Sequence, residues 1–226
     1  MRSSFDLSFY LVIGPENTLG RDFRVLVRQA IQGGITFLQV RSKIVAAREW
    51  MELGRIAAAE IAQAGRQDAL ALVINDRVDV AQALRLAGVK VDGVHLGQSD
   101  IPTEAARRIL GEDAIIGLSA RAQDLFAYIE DFNTGIVDYF GAGPLRQTET
   151  KPDCGLVDGK VLERDFAEIK RLKTLSPLPV VFGGGVKEPD LAALQATGVD
   201  GFFVVSAIAS ADDPLAAAQR LRAAWR

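Results

Sequence analysis

The stretch Gly33–Lys43, read GGITFLQVRSK, begins as an apolar strand and ends in side chains that could bind an anion. Side chains alternate along a strand, so one face should carry Ile35, Phe37, Gln39 and Arg41. A packed strand that ends in Arg41 and Lys43 is typical of a parallel barrel, where the strand meets an anionic ligand at its carboxyl end. From this stretch alone, an ordinary strand end with solvated charges remains an equal alternative.

Acidic side chains follow two neighbouring predicted strands. Asn75 and Asp76 close the third strand, and Asp100 follows the fourth in the run Gly93–Asp100, GVHLGQSD. Two carboxylates beside the cations of the second strand suggest a divalent cation, because Mg²⁺ typically binds one or two carboxylates together with substrate phosphate oxygens. Helix capping by the same aspartates is the alternative, and the spacing leaves both interpretations open.

Glycines follow the seventh predicted strand at positions 183, 184 and 185, and Val205 and Ser206 follow the eighth. Glycine lets backbone N–H groups approach an anion, and the loops after strands seven and eight form the usual phosphate site of an eight-stranded parallel barrel. A phosphate site, including Gly185, is therefore favoured over a simple turn.

The long connection Gly141–Lys160 follows the sixth strand, where a short loop would suffice. Thr148, Thr150 and Lys151 supply two hydroxyls and an ammonium suited to phosphate or diphosphate oxygens. A tolerated surface insertion with solvated side chains is the alternative. Ser119, at the end of the fifth strand, could hydrogen-bond a ligand ring or cap a helix.

Composition narrows the class of protein. The chain has 226 residues, 49% of them hydrophobic, and a formal net charge of -3, which predicts a packed core and argues against a nucleic-acid partner. Cys154 is the only cysteine, which suits a reducing cytoplasm, and no leader or membrane span is indicated. His95 is the only histidine and lies within a strand, so we expect a structural role and no hydrolytic triad.

Short apolar runs alternate with amphipathic segments along the chain, the pattern of repeated βα units. The predicted strands are Phe9–Ile13, Ile35–Val40, Ala71–Asn75, Gly93–Leu96, Ile115–Leu118, Val137–Phe140, Pro179–Phe182 and Gly201–Val205. The predicted helices are Asp22–Ile31, Ala46–Ala64, Val78–Ala87, Thr103–Leu110, Ala122–Asp131, Leu162–Leu175, Pro189–Gln195 and Pro214–Ala224. Eight such units favour a closed (β/α)8 TIM barrel over an open sheet, as a single α/β domain spanning 1–226.

Several motifs, in order along the chain, resemble thiamine phosphate synthase, a (β/α)8 enzyme family. They are YLV at Tyr10–Val12, the Gly33–Lys43 stretch, INDRVD at Ile74–Asp79, GVHLGQSD at Gly93–Asp100, IGLS at Ile116–Ser119, DYFGAGP with TETK at Asp138–Lys151, Gly184 and Gly185, and VVSAI at Val204–Ile208. Such enzymes join hydroxymethylpyrimidine diphosphate to a thiazole phosphate with Mg²⁺, releasing diphosphate and forming thiamine phosphate. The resemblance leaves the oligomeric state open, a homo-oligomer included.

The resemblance also implies roles for individual residues. The diphosphate would be held by Gln39, Arg41, Lys43, Asn75 and Lys151. Asp76 and Asp100 would bind Mg²⁺, and Ser119 would face the pyrimidine. Around the thiazole phosphate and neighbouring diphosphate would lie Thr148, Thr150, Gly185, Val205 and Ser206. Among these, Arg41, Lys43, Ser119 and Lys151 are the candidate catalytic residues.

The chain departs from the family pattern at a few positions. The family usually has aspartate where Gly14 ends the first strand, Phe-Pro where Arg146 and Gln147 lie, and small apolar residues at Phe182 and Gly183. Arg146 is expected to add charge near the phosphates, and Phe182 to add bulk near the thiazole end. Both changes could alter affinity or substrate preference.

Three rival functions share the barrel. A thiazole tautomerase would use a histidine just after the strand-five serine, where this chain has Ala120 and Arg121. A non-catalytic regulatory barrel would keep the thiazole phosphate pocket without turnover. Retention of Asp76, Asp100 and Lys151 argues against both. An unrelated phosphate-binding isomerase would need an acid–base pair that the sequence does not show.

Overall fold

A computed structural model describes residues 5–121, 123–130, 135–148 and 156–225. Eight parallel strands close into a barrel in which each strand pairs with the next and the last pairs with the first. They are β1 (Phe9–Ile13), β2 (Phe37–Val40), β3 (Ala71–Asn75), β4 (Gly93–Leu96), β5 (Ile115–Ser119), β6 (Tyr139–Ala142), β7 (Val180–Gly183) and β8 (Gly201–Val204). The predicted (β/α)8 TIM barrel is confirmed. Thr150, Lys151, Cys154 and the predicted helix ends Ala122 and Asp131 lie outside the described residues.

Helices alternate with the strands and cover the outside of the barrel. They are α1 (Phe23–Gln32), α2 (Ala47–Gln63), α3 (Val78–Leu86), α4 (Thr103–Leu110), α5 (Leu125–Glu130), α6 (Phe166–Leu175), α7 (Leu191–Gln195), α8 (Ser206–Ala209) and α9 (Pro214–Ala224). A short antiparallel hairpin pairs Leu156–Val157 with Lys160–Val161. In the described ranges, no helix is long and apolar enough to cross a membrane.

Capping decides where α6 begins. The predicted start, Leu162, is wrong, and the helix begins at Phe166 because Asp165 caps it. The Asp165 carboxylate accepts the Glu168 N–H at 2.8 Å, and the Glu168 side chain accepts the Asp165 N–H at 3.2 Å. This reciprocal pair satisfies two backbone donors that a helix start otherwise leaves free. α8 was not predicted at all, since four residues are too few to show a helical period.

Alternate side chains of each strand point into the barrel and outward onto the helices. On β1, Tyr10 and Val12 belong to the inner cluster, while their neighbours pack against the helices. On β2, Phe37 and Gln39 point inward as predicted. Ile35 does not share that face, because it precedes the start of β2 and packs in the outer layer. The inner cluster fills the lower barrel and leaves its carboxyl end open.

Candidate active site

A cavity of about 610 Å³ opens at the carboxyl ends of the strands. It is lined by the described members of the predicted site, namely Gln39, Arg41, Lys43, Asn75, Asp76, Asp100, Ser119, Thr148, Gly185, Val205 and Ser206. The structure thus brings together residues from seven different strand ends and loops, at the face where this fold builds its active sites. Their individual roles remain predictions, as do those of Thr150 and Lys151.

Asp76 lies at a sharp turn directly after β3. Its φ of 60° is in the left-handed region, which aspartate and asparagine adopt more readily than most residues. Its N–H donates to the His95 carbonyl at 2.9 Å, so the turn is tied to β4. The carboxylate is thereby directed at Lys43, whose Nζ donates to Oδ2 at 2.8 Å.

The carboxyl groups of Asp76 and Asp100 both line this cavity, and each perturbs the pKa of the other. Burial and the neighbouring Asp76 raise the pKa of Asp100, although the Gly97 N–H donates to its Oδ2 at 2.6 Å. Burial also acts to raise the pKa of Asp76, but Lys43, Asp100 and Arg41 together outweigh it and lower that pKa. Two adjacent carboxyl groups with opposite shifts form a like-charge pair, and a bound divalent cation would relieve their repulsion.

The carboxylates of Asp76 and Asp100 fit a magnesium ion that is also coordinated by oxygen atoms of a substrate. In the described ranges, no three or more His, Cys, Asp or Glu side chains gather as a metal cage. Mg²⁺ usually binds through one or two carboxylates and completes its octahedron with water and phosphate oxygens. Beside the pair, the buried Nδ2 of Asn75 has no hydrogen-bond partner among the described residues. Because a buried amide without a partner is costly, this donor is suited to a ligand oxygen.

A chain of hydrogen bonds crosses the floor of the cavity. The Gln39 Nε2 donates to the Tyr10 hydroxyl at 2.7 Å, and that hydroxyl lies 2.9 Å from the Tyr139 hydroxyl. His95 continues the chain, with Nδ1 2.9 Å from the Tyr139 hydroxyl and Nε2 3.0 Å from the Ser119 Oγ. Burial raises the pKa of both tyrosines, so their hydroxyls stay protonated. The chain fixes the side chains of Gln39 and Ser119, which line the cavity.

Glu16 organises the loop that carries the predicted cations. One carboxylate oxygen accepts the Ser42 hydroxyl at 2.8 Å and the Lys43 N–H at 2.6 Å. Gly14 is necessary here, because a Cβ at this position would lie 1.7 Å from the Arg41 carbonyl oxygen and 2.9 Å from a Glu16 carboxylate oxygen. The aspartate usual at position 14 therefore has no room on this backbone.

Tyr10, Tyr139 and Glu16 were not among the residues predicted for the site from the sequence, whereas His95 was expected to have a structural role. The inward face of β1 and β6 gave the available signal, since a tyrosine pointing into a barrel needs a partner for its hydroxyl. Glu16 gave no such signal. It lies in a short 3₁₀ turn (Pro15–Asn17), and the position of this turn against the loop after β2 depends on closure of the barrel.

The loop after β7 packs tightly on the loop after β6. Gly184 and Gly185 have φ of 89° and 73°, and a Cβ on Gly184 would lie 2.7 Å from the Pro144 Cβ. The Leu145 and Arg146 N–H groups donate to the Gly184 carbonyl at 2.9 and 3.1 Å. Only glycine meets both the conformation and the close approach, so the two loops form one rim of the cavity.

Comparisons with known proteins show which family the chain belongs to. The family model described as thiamine monophosphate synthase matches residues 9–208. The chain belongs to the thiamine monophosphate synthase family. It is 38% identical over 226 residues to the thiamine-phosphate synthase of Desulfitobacterium hafniense (strain Y51), covering 98% of each chain. It is 40% identical over 222 residues to that of Azorhizobium caulinodans, covering 98% of this chain and 96% of the relative.

A solved structure of a family member shows the same fold. The thiamine phosphate pyrophosphorylase from Pyrococcus furiosus superposes with a TM-score of 0.77 at 28% identity, covering 96% of this chain and 95% of that one. A 3-hexulose-6-phosphate synthase, at 16% identity and a TM-score of 0.65, shares the barrel alone. The family and the enzyme class expected from the motifs are confirmed.

Arg146, the departure expected to add charge near the phosphates, forms an ion pair with Asp190. Its guanidinium donates to both carboxylate oxygens of Asp190, at 2.6 and 2.7 Å, and to the Gly185 carbonyl at 3.1 Å. Asp190 also accepts the Lys187 N–H at 2.8 Å. The ion pair therefore holds the loop after β6 against the loop after β7, and Asp190 neutralises the charge of Arg146.

Replacing Arg146 with alanine should raise the KM for thiazole phosphate about 10-fold and leave the KM for pyrimidine diphosphate unchanged. The reason is that the ion pair holds only the rim formed by the loops after β6 and β7. Arg146→Lys should recover part of the loss. Arg220→Ala is the matched control, since Arg220 forms an exposed ion pair with Glu188. Equal increases in both KM values would contradict this role of the ion pair.

The same ion pair should make stability depend on pH. Arg146 lowers the pKa of Asp190, so the folded-state pKa lies below the unfolded-state value of about 3.9. The stabilisation is then full above that value and is lost as pH falls through the lower folded-state pKa. In urea titrations, the stability difference between the native chain and Arg146→Ala should hold from about pH 7 to about 5 and narrow as pH falls from about 4 to about 3. A difference that stays constant over this range would contradict the assignment.

Phe182, the other departure expected to alter the site, does not reach it. Its side chain is fully buried in the outer layer between the barrel and the helices. The expectation of added bulk at the thiazole end through Phe182 is wrong, because β7 starts at Val180 and presents Val181, not Phe182, to the cavity. Alternation along the strand decides which side chain enters the barrel.

Proposed function

We propose that this chain joins 4-amino-2-methyl-5-hydroxymethylpyrimidine diphosphate to 4-methyl-5-(2-hydroxyethyl)thiazole phosphate, forming thiamine phosphate and releasing diphosphate. The observation that carries the proposal is the convergence of the acidic pair, Arg41 and Lys43 on one cavity in a member of this family. The proposal takes 1–226 as one barrel domain that acts in the cytoplasm on these small molecules.

Asp76 and Asp100 would hold Mg²⁺, which when bound supplies positive charge to the departing diphosphate. Arg41 and Lys43 add charge-assisted hydrogen bonds to the same oxygens, and Gln39 and Asn75 offer neutral donors. Lys151 would join them and lies outside the described residues. Since two carboxylates alone would repel a diphosphate, the cations of the β2 loop are required beside them.

The bond changes need charge neutralisation more than proton transfer. The bond between the pyrimidine methylene carbon and the diphosphate oxygen breaks, and its electron pair leaves with the diphosphate. The thiazole nitrogen then donates its lone pair to that carbon, so no proton has to be removed. Fixed donors around the leaving group lower the barrier because they need no rearrangement as charge develops. Closing the cavity around both substrates would keep water from the positively charged pyrimidine methylene carbon that diphosphate departure leaves.

Ser119 would face the pyrimidine, held by the His95 Nε2 at 3.0 Å. The thiazole phosphate would lie against Thr148, Gly185, Val205 and Ser206, on the rim formed by the loops after β6, β7 and β8, with Thr150 nearby in the sequence. This divides the cavity into a diphosphate side near β2 to β4 and a phosphate side near β7 and β8. The two substrates would meet above the floor of hydrogen bonds.

Purified protein with both substrates and Mg²⁺ should form thiamine phosphate, measured by fluorescence after oxidation to the thiochrome derivative. Reactions without enzyme and without metal are the controls. Conversion of a thiazole isomer with no thiamine phosphate would instead indicate a tautomerase. Binding of thiazole phosphate with no turnover would indicate a regulatory barrel. Either result would overturn the proposed function.

A further inference from the structure

Phe203 on β8 lies beside Gly183 on the neighbouring strand β7. The missing side chain of this glycine makes room for the Phe203 ring. In the β7–β8 pairing, Phe203 is the register partner of Gly183. A Cβ on Gly183 would lie 2.4 to 2.5 Å from three carbon atoms of the Phe203 ring. Real Cβ atoms do not approach that closely. A side chain at position 183 and the Phe203 ring would therefore occupy the same space, which the ring fills.

The ring belongs to the cavity and not to the helix layer. Phe203 pairs with Tyr10 on β1, and paired residues of parallel strands point to the same side. Their ring centroids lie 6.3 Å apart with an interplanar angle of 62°, an edge-to-face contact. Phe203 is only partly buried and lines the cavity beside Val181. Its neighbour Phe202 faces outward and stacks on Phe9 with centroids 5.0 Å apart.

The ring lies one inward-facing position below the phosphate rim. Phe203 precedes Val205 by two residues, which is about 6.6 Å along a strand. The thiazole ring is joined to its phosphate by four bonds, a span of about 5 Å at roughly 1.5 Å per bond. A phosphate held at Val205 and Ser206 therefore brings the attached ring to the depth of Phe203.

We propose that Phe203 is a specificity-determining residue that forms the apolar wall against which the thiazole ring packs. The inference rests on the proposed function, because that function places the thiazole phosphate at this rim. The ring packs over Gly183 and against Tyr10, in the inner cluster that also contains Val181, and these contacts fix its position. The wall therefore limits the size of the substituent on the thiazole ring.

Truncation of the wall tests the inference. Phe203→Ala should raise the KM for thiazole phosphate about 10-fold, the size expected for loss of one aromatic packing contact, and leave the KM for pyrimidine diphosphate within about two-fold. It should also raise about 10-fold the ratio of kcat/KM for a 4-ethyl thiazole phosphate to kcat/KM for the 4-methyl substrate. Phe203→Leu, which keeps most of the bulk, should restore the native ratio.

Refilling the same volume from the neighbouring strand β7 provides a second variant. In Gly183→Val with Phe203→Ala, the new side chain should occupy the emptied space and reduce the preference for the ethyl substrate. Phe202→Leu is the matched control, since it truncates an aromatic ring on the same strand but outside the cavity. An unchanged ethyl-to-methyl ratio in Phe203→Ala, or equal increases in both KM values, would overturn the inference.

Failure of the proposed function would give a different result. If the native chain forms no thiamine phosphate, equilibrium binding of 4-methyl and 4-ethyl thiazole phosphate still reports on the wall. A shift in preference toward the ethyl compound in Phe203→Ala would support the wall without turnover. Affinities that do not differ between the native chain and Phe203→Ala would overturn it.

Discussion

Replacing Asp76 with asparagine is expected to reduce kcat for thiamine phosphate formation by at least about 100-fold. The substitution keeps the shape of the side chain and suits the left-handed turn at φ 60°, because asparagine also adopts this conformation readily. It removes the charge that faces Lys43 at 2.8 Å and half of the carboxylate pair. The fold should persist while the leaving diphosphate loses its neutralising site.

Asp79→Asn is the matched control for this prediction. Asp79 lies three residues further along, on the first turn of α3, and pairs with Arg77 at 2.6 Å on the surface. It lines no part of the cavity. Its substitution should leave kcat within about two-fold, because Asp79 lies outside the cavity and the loss of an exposed ion pair changes stability little. A similar loss in both variants, or a normal rate with Asp76→Asn, would contradict the assigned role.

Magnesium dependence offers an independent measurement on the same variant. The Mg²⁺ concentration for half-maximal rate should rise in Asp76→Asn, because one of two carboxylate donors is gone. The Kd of pyrimidine diphosphate measured without metal should not weaken, since the removed charge repels the anion. A substitution that merely disturbed the turn would weaken binding with and without metal alike.

The barrel could be predicted because its evidence is periodic. Eight apolar runs separated by amphipathic helices fix the strand count and the closure, and three strands, including Ala71–Asn75, have the predicted boundaries. Boundaries failed where a single side chain decides them. The predicted start of α6 at Leu162 was wrong because the Asp165 cap sets it at Phe166. The predicted strand Val137–Phe140 begins two residues before β6, which starts at Tyr139. Periodicity does not encode such local contacts.

Most of the candidate site could also be predicted, because parallel strands bring their carboxyl ends to one face. What could not be predicted is how loops from distant parts of the chain meet. The Glu16 contact with Ser42 and Lys43 and the Arg146 ion pair with Asp190 join segments separated by 26 to 44 residues. Arg146 illustrates the difference: its charge was visible in the sequence, but the carboxylate that neutralises it was not.

Asp138 shows that a residue in a family motif need not belong to the reaction. It directly precedes β6, on the amino-terminal side of the barrel, and its Oδ2 accepts hydrogen bonds from the Arg107 Nη2 at 2.7 Å and the Ile116 N–H at 2.8 Å. Arg107 also donates to the Ala114 and Ile136 carbonyls, at 2.6 and 2.9 Å. This buried pair joins α4 to the strand ends and lies at the face that stabilises the barrel.

Asp138→Ala should therefore lower the free energy of unfolding by about 3–5 kcal/mol, because it leaves the Arg107 guanidinium buried without its carboxylate. Both side chains are at most 6% exposed, so water cannot replace the lost partner. The control, Asp113→Ala, removes the partner of Arg85 in a pair whose carboxylate is 63% exposed, and should cost less than about 1 kcal/mol. Urea unfolding measures both changes.

Activity separates this structural pair from the reacting site. For the fraction of Asp138→Ala that remains folded at low temperature, kcat and both KM values should match the native chain, because Asp138 and Arg107 line no part of the cavity. Asp76→Asn should show the reverse, with near-native stability and a lost rate. If Asp138→Ala lost its rate while keeping its stability, the pair would act on the site through β6, and the two barrel faces would not have separate roles.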